Sequence, residues 1–139
     1  ELHRARRPDH WQTVERYKGF GTHDWSERIR ESKPEAVLLD CLTLLISNHL
    51  FDCGEIVDES KVDLVKIEAG ICSEIDALIA SVEDRGDLII VSNEVGLGLS
   101  SPYPLGNLFR DLSGRVNRYV AERADQVTFM AVGLPLKLK

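Results

Sequence analysis

The chain has 139 residues, enough for one domain over residues 1–139 with a hydrophobic core of its own. Its hydrophobic content of 43% and charged content of 29% are typical of a globular protein, and no apolar run approaches the ~20 residues of a membrane-spanning helix. The net charge of −6 gives no overall electrostatic basis for binding nucleic acid. We therefore expect neither a membrane span nor a nucleic-acid partner.

The three cysteines, Cys41, Cys53 and Cys72, form no C-x-x-C pair and are odd in number. This spacing indicates neither a disulfide framework nor a zinc site. We interpret them as buried small apolar residues in a reducing compartment, and expect a cytoplasmic protein without a protein-built metal site.

The first fifteen residues combine several arginines with two histidines, His3 and His10. One interpretation is a solvated basic segment, which is the commoner case for an arbitrary protein. The other is a phosphate-binding loop, because guanidinium groups bind phosphate oxygens bidentately and a neutral imidazole is a competent nucleophile near pH 7. The residues alone leave both interpretations open.

The pattern farther along the chain is that of alternating strands and helices. Helical periodicity predicts four helices, over residues 23–31, 42–51, 61–84 and 105–123. Apolar runs without alternation predict strands buried on both faces, at residues 36–39, 88–91 and 126–132. Residues 135–139 predict a last edge strand, because a proline and alternating lysines suit a sheet edge. The order predicts an α/β domain with a mostly parallel sheet and helices on both faces.

The longest predicted helix also has a predicted buried stripe. Its members are Val62, Val65, Ala69, Cys72, Ile75, Ile79 and Val82.

Polar side chains follow two of the predicted strands. Asp40 ends the first, and Asn93 and Glu94 follow the second. Ligands of open α/β sheets lie beyond the carboxyl ends of the strands, so Asn93 and Glu94 are candidates for positioning substrate or metal. Asp40 is either a capping acid or a carboxylate near a nucleotide's metal or ribose.

The last predicted helix carries two further candidates, Arg110 and Arg115. Arg110 and its neighbour Asp111 could instead form an internal ion pair, although adjacent helical residues do not face each other. Gly96-Leu97-Gly98 lacks the third glycine of a dinucleotide-binding loop, which argues against that function.

Several strings of residues carry a resemblance to a known family. They are Asn93-Glu94-Val95-Gly96, Phe109-Arg110-Asp111, Gly114-Arg115-Val116-Asn117, and the pattern His3-x-x-x-Arg7-Pro8-x-x-Trp11-x-Thr13-x-Glu15. Together they resemble adenosylcobinamide kinase/adenosylcobinamide-phosphate guanylyltransferase, a bifunctional family of cobalamin biosynthesis. The resemblance extends over essentially all 139 residues.

The resemblance implies roles for individual residues. His3 matches the histidine that becomes covalently guanylylated, whereas His10 does not. The positions that match nucleotide contacts are Arg4, Ala5, Arg6, Arg7, Glu15 and Asp40. At Asp40 the compared family member has Glu, so the acid here is one methylene shorter.

The resemblance also implies a phosphate-loop NTPase fold of the recombination-ATPase type. The family carries G-x-x-x-x-G-K-[ST] on its first strand and helix, and this chain has no such string. We therefore expect a strand–loop–helix–strand piece of roughly 40 residues ahead of Glu1, about one βαβ unit. The chain as given is then expected to bind GTP poorly and to be inactive by itself.

The resemblance implies two activities. In the first, GTP or ATP phosphorylates adenosylcobinamide; in the second, GMP passes from GTP through a histidine to adenosylcobinamide phosphate. Mg²⁺ and a homotrimer are implied as well.

Two residues depart from the family pattern, Ser101 for a common proline and Asn107 for an arginine. Two alternatives stay open: a catalytically dead nucleotide- or corrinoid-binding subunit without the phosphate loop, and an unrelated nucleotide-binding α/β domain.

Overall fold

The computed structural model describes residues 7–52, 62–98 and 100–139. The helices are α1 (His23–Ser32), α2 (Leu42–Phe51), α3 (Leu64–Val82) and α4 (Pro104–Arg123), with a 3₁₀ helix at Val95–Leu97. The strands are β1 (Ala36–Asp40), β2 (Asp87–Val91), β3 (Thr128–Ala131) and β4 (Leu134–Lys137). All four predicted helices are confirmed, α3 being shorter than predicted. None of them, over the part described, is long and apolar enough to cross a bilayer.

The strands form two separate pairs. β1 and β2 are parallel, in a register that pairs Ala36 with Asp87 and Asp40 with Val91. β3 and β4 are antiparallel neighbours in a hairpin. The parallel pairing of the first two strands confirms part of the predicted sheet, whereas β3 pairs with β4 rather than with that sheet.

The prediction that the strands are buried on both faces is wrong for the described residues. Val37, Leu39, Leu88 and Ile90 pack against the core. On the other face Leu38, Ile89 and Val91 keep 41%, 51% and 43% of their surface exposed. The apolar pattern is the same on both faces, but the helices of the described chain cover only one of them. The third predicted strand is also largely exposed, with Met130 at 59% and Val132 at 98%.

The core lies between the helices and the covered face of β1 and β2. Helix α3 runs through its middle and packs against α1, α2 and α4. The buried positions of α3 are Ile67, Ile71, Ile75, Leu78 and Val82. The predicted stripe shares only Ile75 and Val82 with this set, and Val65 is 73% exposed. The helix is apolar on a wide arc, so its periodicity allows two overlapping stripes, and the one rich in isoleucine faces the core.

The parallel pairing of β1 and β2 places both of their carboxyl ends at one edge of the sheet. Because parallel strands present their carboxyl ends on the same side, the residues after Asp40 and after Val91 emerge next to each other. Helix α4 packs along α2 and α3 and beside the 3₁₀ helix, so its side chains can reach this edge.

Candidate functional site

The first feature of the site is a hydrogen bond between the loop that follows β2 and the first turn of α2, the helix that follows β1. The Asn93 amide Nδ2 donates to the Thr43 hydroxyl Oγ1 over 2.8 Å. Thr43 is 8% exposed, and its Oγ1 also lies 3.0 Å from the Sγ atom of Cys41. A buried hydroxyl is costly to leave unpaired, so this bond fixes the start of α2 against the end of β2.

Helix α4 joins the same edge through Asn117. The Ser92 hydroxyl donates to Asn117 Oδ1 over 2.6 Å, and Asn117 Nδ2 donates to the backbone oxygen of Asn93 over 3.2 Å. Both ends of the Asn117 amide are therefore used, which fixes its orientation.

Arg7 and Asp40 complete this edge. Arg7 Nη2 lies 3.8 Å from Asp40 Oδ2, and Arg7 Nη1 donates to Thr13 Oγ1 over 3.0 Å. The side chains of Arg7 and Asp40 are 32% and 53% exposed. Exposed ion pairs contribute about 0–1 kcal/mol, so a phosphate can compete for the guanidinium. We name Arg7, Asp40, Thr43, Asn93 and Asn117 the strand-edge cluster.

The structure brings some of the predicted residues together and not others. Arg7 and Asp40 pair at the end of β1, and Asn93 follows the end of the neighbouring strand β2. His3, Arg4, Ala5 and Arg6 lie outside the described residues. Glu15 has an exposed side chain in the irregular segment between Arg7 and α1.

Glu94 has a local structural role. Its Oε1 accepts a hydrogen bond of 3.2 Å from the backbone N–H of Gly96, which caps the 3₁₀ helix. Its side chain is exposed next to Asn93. The carboxylate thus holds the turn that leads from the strand-edge cluster to α4.

The other two predicted candidates, Arg110 and Arg115, line a groove between the 3₁₀ helix and α4. Arg110 Nη1 donates to Ser100 Oγ over 2.9 Å, and Arg115 Nη1 lies 3.2 Å from Glu68 Oε2 of α3. Arg110 Nε is 3.8 Å from Asp111 Oδ1, a loose contact that does not occupy the guanidinium. The groove has a volume of about 340 Å³, and we name it the arginine groove; its lining is Gly96, Arg110, Asp111, Gly114, Arg115 and Arg118.

An apolar pocket of about 440 Å³ lies between the end of α2 and the start of α4. Its lining is Ser47, Leu50, Phe51, Ser101, Tyr103, Leu105, Gly106 and Phe109. Two aromatic side chains at its rim, Phe51 and Tyr103, are 55% and 73% exposed. The two residues that depart from the family pattern, Ser101 and Asn107, contact each other beside this pocket. Asn107 Nδ2 donates to the backbone oxygen of Ser101 over 3.0 Å.

Metal ligation by side chains alone has little support in residues 7–52, 62–98 and 100–139. No three histidine, cysteine or acidic side chains converge there. Mg²⁺ needs less from the protein, because one or two carboxylates together with substrate phosphates suffice to hold it. Asp40 at the end of β1 fits that requirement.

Sequence reasoning did not single out Thr43, Ser92, Asn117 or Arg118 as site residues. The hydrogen bonds of the first three depend on contacts between distant segments, which periodicity does not reveal. Arg118 could have been predicted from the sequence, since Arg110, Gly114 and Arg118 are spaced four residues apart and so share one face of a helix.

Comparison with known proteins gives consistent results over the whole chain. The family described as cobinamide kinase / cobinamide phosphate guanyltransferase matches residues 1–138. The bifunctional adenosylcobalamin biosynthesis protein CobU of Escherichia coli K12 is 37% identical over 140 residues, covering 100% of this chain and 76% of its own. CobU of Salmonella typhimurium LT2 is 34% identical over 138 residues, covering 99% of this chain and 75% of its own. The bifunctional adenosylcobalamin biosynthesis protein CobP of Pseudomonas aeruginosa PAO1 is 38% identical over 141 residues, covering 99% of this chain and 70% of its own.

Proposed function

The chain belongs to the cobinamide kinase / cobinamide phosphate guanyltransferase family, and from that premise we propose that it acts in adenosylcobalamin biosynthesis. It phosphorylates adenosylcobinamide with GTP or ATP, and it transfers GMP from GTP to adenosylcobinamide phosphate. One observation carries the proposal more than any other. Arg7 and Asp40, both matched to nucleotide-binding positions, lie 3.8 Å apart at the carboxyl edge of β1, where α/β sheets bind ligands.

The guanylyl transfer proceeds through His3. A neutral imidazole nitrogen of His3 attacks the α-phosphorus of GTP, a nitrogen–phosphorus bond forms, and the bond to pyrophosphate breaks. Pyrophosphate leaves with the electron pair of that bond. One difficult transfer thereby becomes two displacements at the same phosphorus.

The acceptor then completes the transfer. A phosphate oxygen of adenosylcobinamide phosphate attacks the phosphorus of guanylyl-His3, and the nitrogen–phosphorus bond breaks. The electron pair returns to the imidazole ring, and the product is adenosylcobinamide-GDP. In the kinase reaction the hydroxyl oxygen of adenosylcobinamide attacks the terminal phosphorus of GTP or ATP instead. The bond from that phosphorus to the bridging oxygen breaks, GDP or ADP leaves with its electron pair, and the hydroxyl proton passes to solvent.

The neighbouring residues bind and orient the nucleotide. Arg4, Arg6 and Arg7 offset negative charge on the α-phosphate and on the departing pyrophosphate, and Ala5 matches a nucleotide contact of the same family segment. Glu15 and Asp40 hold the nucleoside end, with Asp40 on its phosphate side, beside Arg7. The described contacts of Arg7 support this role, since its guanidinium is already held beside Asp40 and Thr13.

Asn93, Glu94, Arg110 and Arg115 position the acceptor. Asn93 links the nucleotide side to α4 through its bonds to Thr43 and Asn117. Glu94 holds the turn between Asn93 and the arginine groove. Mg²⁺, when bound, offsets charge on the triphosphate, and Asp40 is the carboxylate that would hold it.

Incubation of the intact protein with α-labelled GTP tests the proposal. The wild-type protein is expected to acquire acid-labile label, and His3→Ala is expected to lose it. His10→Ala is the matched control, since His10 is another histidine of the same segment that does not match the guanylylated position, and it should keep the label. Label that persists in His3→Ala would remove His3 from its role.

The same experiment separates the alternative of a catalytically dead binding subunit. Such a protein would bind GTP or corrinoid in calorimetry while never acquiring covalent label. An unrelated nucleotide-binding domain would bind GTP but show no affinity for adenosylcobinamide.

We also propose that the protein works in the cytoplasm as a homotrimer. The homotrimer rests on the family resemblance. Sedimentation of the intact protein as a trimer would support this assembly, and a monomer at micromolar concentration would contradict it.

A further inference from the structure

The arginine groove collects positive charge on one face of α4. Arg110, Gly114 and Arg118 follow one another at intervals of four residues, and Arg115 lies on the adjacent stripe. Among the described residues the lining has one acid, Asp111, against three guanidinium groups, and two of these groups pair with acids just outside the lining, Glu68 and Glu122. In a chain with a net charge of −6, this groove thus presents three guanidinium groups whose acidic partners are exposed enough for an anionic ligand to replace.

The guanidinium groups in the groove are held loosely enough to bind such a ligand. Arg118 Nε is 3.8 Å from Glu122 Oε1, and the two side chains are 77% and 64% exposed. The Arg115 side chain is 50% exposed in its pair with Glu68. Exposed pairs of this kind contribute about 0–1 kcal/mol, and each guanidinium has five N–H donors, so donors remain for a ligand.

The floor of the groove is left empty by a glycine. A Cβ atom added to Gly114 would meet no atom within 4 Å, so the space between Arg110 and Arg118 is open. Glycine inside a helix costs about 0.5–1 kcal/mol relative to alanine, and the observed packing gives no steric reason for it at this position.

The groove adjoins the strand-edge cluster. Asn117, which is bonded to Ser92 and to Asn93, immediately precedes Arg118 on α4. Gly96 on the opposite wall is held by Glu94, the residue after Asn93. A ligand bound in the groove would therefore lie beside the edge at which the nucleotide is proposed to bind.

We propose that the arginine groove binds the phosphate monoester of the corrinoid acceptor, and that Arg118 makes the protein discriminate between phosphorylated and unphosphorylated acceptor. This inference rests on the proposed guanylyl transfer. A phosphate monoester carries close to two negative charges near pH 7 and accepts bidentate hydrogen bonds, so it can compete with the exposed carboxylate partners for the guanidinium groups of the groove. The triphosphate of GTP has a different set of cations, those matched at Arg4, Arg6 and Arg7.

Calorimetry of the intact protein with two ligands, adenosylcobinamide phosphate and adenosylcobinamide, tests the inference. Arg118→Gln is expected to raise the Kd for the phosphorylated ligand about tenfold, the effect of losing one charge-assisted hydrogen bond, and to leave the Kd for the other unchanged. Arg30→Gln is the matched control, since Arg30 is also an exposed helical arginine with a neighbouring acid, Glu27, at 3.1 Å. It should change neither Kd.

A second pair of variants tests the open floor. Gly114→Gln places a side chain between Arg110 and Arg118, whereas Gly70→Gln adds the same side chain at another helical glycine with no atom within 4 Å. Both variants should fold with an unchanged or raised Tm. Only Gly114→Gln should weaken binding of the phosphorylated acceptor.

Two outcomes would overturn the inference. One is that Arg118→Gln weakens the binding of both ligands equally, and the other is that it weakens the binding of neither. Self-labelling of the wild-type protein by α-labelled GTP is measured separately. Failure of self-labelling contradicts the guanylyl transfer, whereas self-labelling without a phosphate-dependent effect of Arg118→Gln contradicts the groove alone.

Discussion

Asn93 joins three parts of the molecule through two hydrogen bonds. Its side-chain amide reaches Thr43 at the start of α2, and its backbone oxygen accepts from Asn117 of α4. Its place after a predicted strand marked it as a candidate from the sequence, because ligands collect at such ends. Its partners could not be predicted, since Thr43 and Asn117 reach it only when distant segments pack.

We expect Asn93→Ala to lower the free energy of unfolding by about 1 kcal/mol, because the buried Thr43 hydroxyl loses its donor. Thr43→Val should cost a similar amount through loss of the same bond. Urea unfolding of both single variants and the double variant checks this, and the two effects should not add. Full additivity would mean that the two side chains do not interact.

Gly86 is required where two backbones approach closely. A Cβ atom there would lie 2.5 Å from the backbone oxygen of Pro34 and 2.7 Å from that of Glu35. Gly86→Ala is therefore expected to destabilise the protein by about 1–3 kcal/mol through displacement of β2 from β1. Gly70→Ala, in open space on α3, should instead stabilise it by about 0.5–1 kcal/mol. Thermal unfolding of the two variants gives the comparison, and a Gly86→Ala protein as stable as wild type would contradict it.

Helices α3 and α4 are tied together by a polar contact on their outer side. Tyr119 donates from its hydroxyl to Asp76 Oδ2 over 2.6 Å, and Arg123 Nε lies 3.1 Å from Asp76 Oδ1. The Arg123 guanidinium stacks 3.4 Å from the centre of the Tyr119 ring. The hydrogen bond to Asp76, aided by desolvation, raises the pKa of Tyr119 to about 12.

This raised pKa predicts a loss of stability in alkali. The folded state prefers the neutral phenol, so the contribution of the contact is complete below pH ~10, the ordinary tyrosine value. It is lost as the pH rises from there through about 12. Asp76→Asn should return the pKa of Tyr119 toward 10, as measured by phenolate absorbance. An unchanged titration in Asp76→Asn would show that Asp76 is not the cause.

The elements themselves differ in how far the sequence predicts them. Helices α1, α2 and α4 follow from local periodicity, and their observed bounds lie within one or two residues of the predicted ones. Local periodicity does not predict which faces of β1 and β2 are buried, because an apolar run is equally consistent with one covered face or two. The partner of β3 depends on which distant strand it meets, and here that is its neighbour β4.

Charge is distributed unevenly over the whole molecule. The net charge of −6 coexists with the three guanidinium groups of the arginine groove. We expect the affinity for adenosylcobinamide phosphate to fall as salt rises from about 0.1 M to 1 M, because the screening length falls from about 10 Å to 3 Å. Calorimetry across this range checks the effect. Adenosylcobinamide, which lacks the phosphate, is the control and should show little salt dependence.

The most direct measurement is a chase of the labelled protein. Intact protein is first labelled with α-labelled GTP, freed of nucleotide, and mixed with adenosylcobinamide phosphate. We expect the label to leave the protein as adenosylcobinamide-GDP, because the guanylyl group on His3 is the donor in the second displacement. Label that stays on the protein, or that leaves only as GMP, would contradict the account.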